Sequence, residues 1–324
     1  MKTRDYQIDN IKGLLIILVV FGHMFLAASS ENNWLTTLIY SFHMPVFIFL
    51  NGLFSKHVTF KKVIHFGILY LLVQMIYILV VKVTDYPWIP MSSIMVTPIF
   101  HVWYLLSLTI WYVFTIIIQK LSLHPIFVMI IVLLCALLVR FFNFGVDGNY
   151  FAYTRTIVFA PFFLVGHFLS FDQLSSFRKK IKDFKPALLL LTVLFISLNI
   201  FYFNNNAKEW MRLFFGYVNY LHFSDSYFIF ICKELLQYFL GTVAVVILLG
   251  LISNSKSLIN YIGQHTLTIF ICHPVIYFII YNYIERSDPT TFHPFFMALI
   301  LTVCAIIWSL VVERILKILK QKLL

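Results

Sequence analysis

The sequence predicts an all-α, polytopic integral membrane protein, and three observations carry that prediction. Of its 324 residues 61% are hydrophobic and only 11% charged, and the mean hydropathy is +0.91, far from the balance of a soluble domain. Apolar stretches of about 20 residues, enough to cross a bilayer as a helix, recur along the whole chain. The 24 Lys and Arg residues fall mostly in alternate connecting segments, the asymmetry that orients membrane proteins. The same distribution argues against nucleic acid as the partner of a chain with a formal charge of +11.

Taken in order, about ten spans are expected, near residues 11–29, 37–55, 63–83, 99–119, 123–142, 155–171, 186–203, 228–252, 261–283 and 294–316. The first follows the polar start MKTRDYQIDN with no small-residue cleavage pattern, so it reads as a span and not as a removed signal peptide. Asp9 or Asn10 is the expected cap of that helix. With the N-terminus inside, one face collects 17 of the 24 cations, Lys2, Arg4, Lys12, Lys56 and the Arg178–Lys185 run among them, against six outside, Arg286 included. Both termini are therefore expected in the cytoplasm, the Arg178–Lys185 run as a solvated loop, and 1–324 as one transmembrane domain. In the outer segment 204–227, Trp210, Leu213, Phe214 and Tyr217 oppose Lys208 and Arg212, as in a short interfacial helix, with a re-entrant segment as the alternative. No internal repeat is visible, and the four cysteines lie in apolar runs without metal-ligand spacing.

Candidate chemistry begins in the first span, IKGLLIILVVFGHMFLAA, which buries His23. An ionisable ring at that depth is costly and reads by default as functional, with a partner to be named. His43, in SFHMPVFIFLNGLF, is the first candidate. The first helix runs outward and the second inward, which sets both rings roughly 9 Å below the outer boundary and able to face one cavity. The bland alternative is that each ring bonds a neighbouring carbonyl and only packs helices, with Pro45 kinking the second. Lys12 lies eleven residues from His23, roughly 16 Å of helix rise. With Arg4 it forms a basic cluster suited to the phosphates of an anionic donor, unless Lys12 merely snorkels to the headgroups.

RDYQIDNIKGLLIILVVFGHM, with Lys12 and His23, and SFHMPVFIFLNGLF resemble the first two helices of membrane acyltransferase family 3. HVWYLLSL (His101 to Leu108), RTIVFAPFFLVGHFL (Arg155 to Leu169) and IGQHTLTIFICHPVI (Ile262 to Ile276) are similar to its fucose 4-O-acetylase-like acetyltransferase branch. The resemblance implies transfer of an acetyl group from cytoplasmic acetyl-CoA, a substrate and not a permanently bound cofactor, to a hydroxyl of a carbohydrate. It maps the family's essential histidine onto His23 and its basic residue onto Lys12. The chain departs from the family in having Asn51-Gly52 where Ser-Gly is common and in lacking the Glu-containing motif of larger relatives. With no esterase-like extension before Leu324, direct transfer or a separate extracytoplasmic partner protein is implied.

The residue types suit that chemistry. Imidazole is the side chain that exchanges protons near neutral pH, which makes His23 the expected general base, and His43, His101 and Glu234 are the candidates for the group that orients it. Trp103 and Tyr104 could stack on a sugar or anchor at the interface. Arg155 could bind an anionic acceptor or lipid-linked diphosphate, or snorkel. His273, beside Pro274 at mid-depth, is expected to line the cavity. His57, His65, His124, His167 and His265 fall near the inner face as solvated or headgroup-bonded rings. No metal site is expected. The rival class is a transporter or flippase for a sugar or lipid-linked sugar, since mid-membrane histidines also serve proton-coupled carriage. The expected location is a bacterial cytoplasmic membrane, with its lipids as neighbours.

Overall fold

The structure is a computed structural model that describes residues 4–29, 32–84, 94–144, 150–286 and 293–323; Lys2 and the side chain of Arg286 lie outside the described residues. It is all-helical among them: α1 (Tyr6–Ala28), α2 (Trp34–Leu53), α3 (Phe60–Thr84), α4 (Trp103–Lys120), α5 (Pro125–Leu138), α6 (Tyr153–Phe168), α7 (Phe171–Lys182), α8 (Lys185–Phe201), α9 (Ala207–Phe215), α10 (Tyr227–Leu251), α11 (Leu258–Gln264), α12 (Thr266–Arg286) and α13 (Pro294–Leu323). Eight helical stretches among the described residues are long and apolar enough to cross a membrane, and the protein is polytopic. Each of the ten expected segments is helical, with two differences of form. The fifth is a 14-residue helix that tightens into a 3₁₀ turn. The ninth is broken at His265, where α11 and α12 meet at 86°.

α1 and α2 form the centre. α1 packs on α2, α11, α12 and α13, while α2 packs on α6, α9 and α10. The outer helices present Leu, Ile, Val and Phe to the surroundings, as on α3 (Leu71, Leu72, Met75, Ile76) and α8 (Leu189, Leu190, Val193, Leu194). An apolar surface of that extent belongs in lipid, where every backbone polar group is satisfied within a helix.

The first helix begins earlier than expected. Asp5 caps it by accepting from Ile8 N–H, which leaves Asp9 to pair with Arg4 and Asn10 to donate to the Ser253 and Ser255 carbonyls. The basic run is likewise no plain loop. α7 buries Leu174 and Ile181, and Arg178 holds Asp5 at 2.5 Å. α9 is the short amphipathic helix expected in 204–227, with Trp210, Leu213 and Phe214 buried. It stops at Gly216, whose φ of +77° favours glycine, so Tyr217 leaves the helical face and turns elsewhere. His167 is buried and bonds Ser55 at 2.7 Å, while His265 is partly exposed and bonds the Glu313 carboxylate at 2.8 Å.

Close approach of backbones at glycines sets the central crossings. A Cβ on Gly52 would lie 2.0 Å from the Phe163 carbonyl oxygen, and one on Gly166 would lie 2.2 Å from that of Phe49. Backbone cannot give way as a side chain can. Gly52→Ala is therefore expected to cost roughly 1–3 kcal/mol or more by overpacking and to lower the thermal midpoint in detergent. Gly67→Ala, whose Cβ would meet nothing nearer than Thr109 Cγ2 at 3.7 Å, is the control and is expected to unfold like wild type.

Candidate active site

A cavity of about 350 Å³ lies where α1, α2, α4, α6, α9 and α12 converge. His23, His43, His101, Trp103 and Arg155 line it with Tyr40, Phe100 and Tyr217. His23 Nδ1 lies 2.9 Å from Nε2 of His273, and the two rings stack at 5.2 Å. His273 was expected to line the cavity but is fully buried beside His23 and outside the cavity's lining, with its Nδ1 2.8 Å from the Ile269 carbonyl. Pro274 next to it offers no N–H to the turn before.

Proton accounting orders this chain. A carbonyl only accepts, so Nδ1 of His273 carries the proton and donates to Ile269. For neutral rings, Nε2 of His273 then accepts from Nδ1–H of His23, and Nε2 of His23 is left with a free lone pair. His23 is thus set as a proton acceptor in the wall of a cavity. His43 follows the same local pattern, with Nδ1 2.7 Å from the Ile39 carbonyl. It shares the cavity with His23, and the Tyr40 ring stands between them, 4.8 Å from His43 and 6.3 Å from His23.

His101 sits on the turn before α4. That turn is held by Gln74 inside α3, whose side-chain amide donates to the Ile94 and Thr97 carbonyls and accepts from Ile99 N–H. Phe100 adopts a φ of +48°, costly for a bulky residue, and lays its ring 4.6 Å from His23. The His101 ring is boxed edge-on by Tyr77 and Phe270 at 4.9 and 4.8 Å and lies 5.5 Å from His273. Both of its nitrogens are buried, and among the described residues neither has a hydrogen-bond partner. Arg155 opens α6 between two rings, 4.9 Å from the Trp103 centroid and 4.4 Å from that of Tyr217, and donates from Nε to the Phe215 carbonyl at 2.9 Å. Trp103 is buried and stacks on Phe159, which removes it from any interfacial belt. Among the described residues no group of three His, Cys, Asp or Glu side chains could hold a metal ion.

Other expected residues lie elsewhere. Glu234 does not reach the cavity; it forms a buried ion pair with Arg140 at 2.9 Å, and Arg140 also donates to the Leu213 carbonyl and Gln237. The partner of His23 is His273 in its place. Arg4 is half-exposed and already paired with Asp9 at 2.6 Å. Lys12 lies 4.3 Å above the Phe54 ring and does not line the cavity, whose α1 wall ends at Val19. The hydroxyl of Tyr104, a lining residue, is held at 2.5 Å by Asn51. Since α2 meets α1 at Gly22 through Ile39 and Tyr40 and at Lys12 through Phe54, Asn51 stands between the cavity and Lys12. The cavity does not extend along α1 to Lys12.

Tyr40, Gln74 and Phe100 were not expected at the site, and Tyr217 was expected only on the face of an interfacial helix. Of these only Gln74, a polar residue in the third apolar stretch, carries a sequence signal.

The acyltransferase domain model of family 3 matches residues 5–314. Nodulation protein NolL of Sinorhizobium fredii (strain NBRC 101917 / NGR234) is 43% identical over 56 residues, 15% of this chain and 15% of that protein's length. No solved structure matches.

Glu234→Gln is expected to strand the buried Arg140 charge and to cost roughly 3–5 kcal/mol, read as a large fall in the thermal midpoint of the purified protein. Replacing both residues by methionine is expected to recover most of it. A Glu234→Gln protein as stable as wild type would remove the pair from the structural account.

Proposed function

The chain belongs to acyltransferase family 3, and from that membership and the histidine pair we propose that it is an O-acyltransferase of the fucose 4-O-acetylase-like branch, moving acetyl from acetyl-CoA to a hydroxyl of a cell-surface or lipid-linked carbohydrate. The observation that carries the reading is the hydrogen-bond chain from the Ile269 carbonyl through His273 to His23, which leaves Nε2 of His23 basic at the cavity wall. Nε2 takes the proton of the acceptor hydroxyl as its oxygen attacks the thioester carbonyl. Collapse of the tetrahedral intermediate expels CoA thiolate, which takes the proton back from His23. In this reading His101 stands beside His273, 5.5 Å from its ring, and fixes that side of the wall. His43 shapes the same wall.

In this reading Lys12, bonded to no carboxylate among the described residues, receives the donor's phosphates at the cytoplasmic end of α1. Seven residues separate it from Val19, roughly 10 Å of helix, a span suited to the arm that carries a thioester. For the acyl group to reach His23 from that side, the Asn51–Tyr104 contact must part. The protein then works in a bacterial cytoplasmic membrane with both termini inside, delivering acetyl directly to the acceptor or through a separate extracytoplasmic partner.

His23→Ala is expected to lower ester-linked acetate on surface glycans by at least the roughly 100-fold that loss of a general base implies. Unchanged acetate with altered glycan export would mark a sugar transporter or flippase. In the same assay His273→Gln, whose amide oxygen accepts the His23 Nδ1 proton, should keep a measurable fraction of activity that His273→Leu loses. Separately, CoA is expected to raise the thermal midpoint of purified wild-type protein by binding linkage. Lys12→Ala should lose that shift, and a CoA shift unaffected by the substitution would move the donor site elsewhere.

A further inference from the structure

We propose that Arg155 binds an anionic group on the acyl acceptor, a carboxylate or a phosphate carried on the same or the adjoining sugar as the hydroxyl presented to His23. The inference rests on the acyl-transfer reading and names the class of acceptor.

The cations of the helical bundle show what the protein does with charge it means to neutralise. Arg140 has Glu234 at 2.9 Å, Arg178 has Asp5 at 2.5 Å, and Lys233 has both Asp225 and Glu209. Arg155 has no carboxylate within ion-pairing distance among the described residues. Its one hydrogen bond runs from Nε to the Phe215 carbonyl, a contact that a neutral donor would make as well. The charge is met by two aromatic faces but by no carboxylate, and a cation inside a membrane bundle without a counter-charge is costly.

Geometry says where the counter-charge would come from. Trp103 and Tyr217 each lay a ring against the guanidinium, while Phe215 takes the Nε edge. The remaining direction is the plane of the terminal amino groups, in a residue that lines the cavity. A guanidinium offered in that way suits two oxygens of one carboxylate or phosphate, which it binds as a fork. The cavity, about 350 Å³, is at the small end of ligand pockets, which keeps the bound anion close to the hydroxyl facing His23.

The test uses a strain lacking the protein and complemented with wild type, His23→Ala, Arg155→Lys or Arg155→Gln at matched membrane levels. Ester-linked acetate is quantified and located by mass spectrometry in the polymer and in the solvent-extractable lipid-linked fraction. With wild type, acetate is expected on sugars that carry or adjoin a carboxylate or phosphate. Its presence in the polymer on acidic residues identifies a sugar substituent as the anion. Its presence on lipid-linked species next to the diphosphate identifies that linkage. Arg155→Gln should reduce it by roughly tenfold or more, the weight of a charge-assisted hydrogen bond, with Arg155→Lys in between. Acetate confined to neutral polymer residues with no acetylated lipid-linked species, or an Arg155→Gln strain equal to wild type, overturns the proposal. If His23→Ala leaves acetate unchanged, acyl transfer itself fails; if only Arg155→Gln does, the acceptor inference fails alone. Retained stabilisation of purified Arg155→Gln by CoA shows that it folds, and where it does not fold, the location of acetate in the wild-type strain decides.

Discussion

The hydrogen bond between His23 and His273 is the interaction on which the rest of the site depends. It joins α1 to α12 across 250 residues of sequence, in an interior where a ring nitrogen without a partner is costly. It forms only because α1 lies tight against the broken span. Gly13 brings α1 against the Ile259 carbonyl and Gly263 brings α11 against that of Asp9, where added Cβ atoms would lie 2.0 and 1.8 Å from oxygen. The break at His265 then redirects the chain so that α12 passes the cavity. Rotation of α1, aim of His23 and choice of tautomer are thus one constraint, and its anchor is a backbone carbonyl that cannot exchange roles.

The polar groups of the bundle divide by how far the protein satisfies them. Ser107 bonds Thr156, Trp111 donates to the Thr156 carbonyl, and Gln74 clamps the 94–102 turn with both ends of its amide. These are structural, as is Arg140 with Glu234. Around the cavity the pattern changes. Among the described residues both nitrogens of His101 lack partners, and Arg155 faces aromatic rings and a carbonyl but no acid. Burying such groups without partners works against stability, and in the proposed reading the acceptor supplies the counter-charge that Arg155 lacks.

What could be read from the sequence follows from the range of the forces involved. Apolar runs reported the spans because hydrophobic length is a local property, and family motifs pointed to His23. The shared level of His23 and His43 followed from two helices joined by a short loop. Contacts across the bundle had no local signature. His273 was visible as an intramembrane histidine but not as the neighbour of His23, and Glu234 looked available because Arg140, 94 residues earlier, could not be placed beside it. Tyr217 matched the face of α9 by spacing, and it took the left-handed Gly216 to turn it onto Arg155. The end of α1 was misjudged for a similar reason: Asp5, Asp9 and Asn10 are all competent caps, and Arg4, Ser253 and Ser255 decided among them.

The separation of Lys12 from the cavity bears on how a transferase of this kind can work at all. Under the proposed reading, donor and acceptor approach from opposite faces, and a bundle open to both would conduct ions and water through its own active site. In that reading the hydrogen bond between Asn51 and Tyr104 and the Phe54 ring against Lys12 lie between the two ends, while the cavity keeps its histidines assembled. A contact between two side chains on different helices costs little to open when a ligand supplies the missing partners, and it restores itself when the ligand leaves. In the proposed reading the chemistry stays at His23 whichever face is approached, because His273, which holds His23, is itself bonded to a helix backbone.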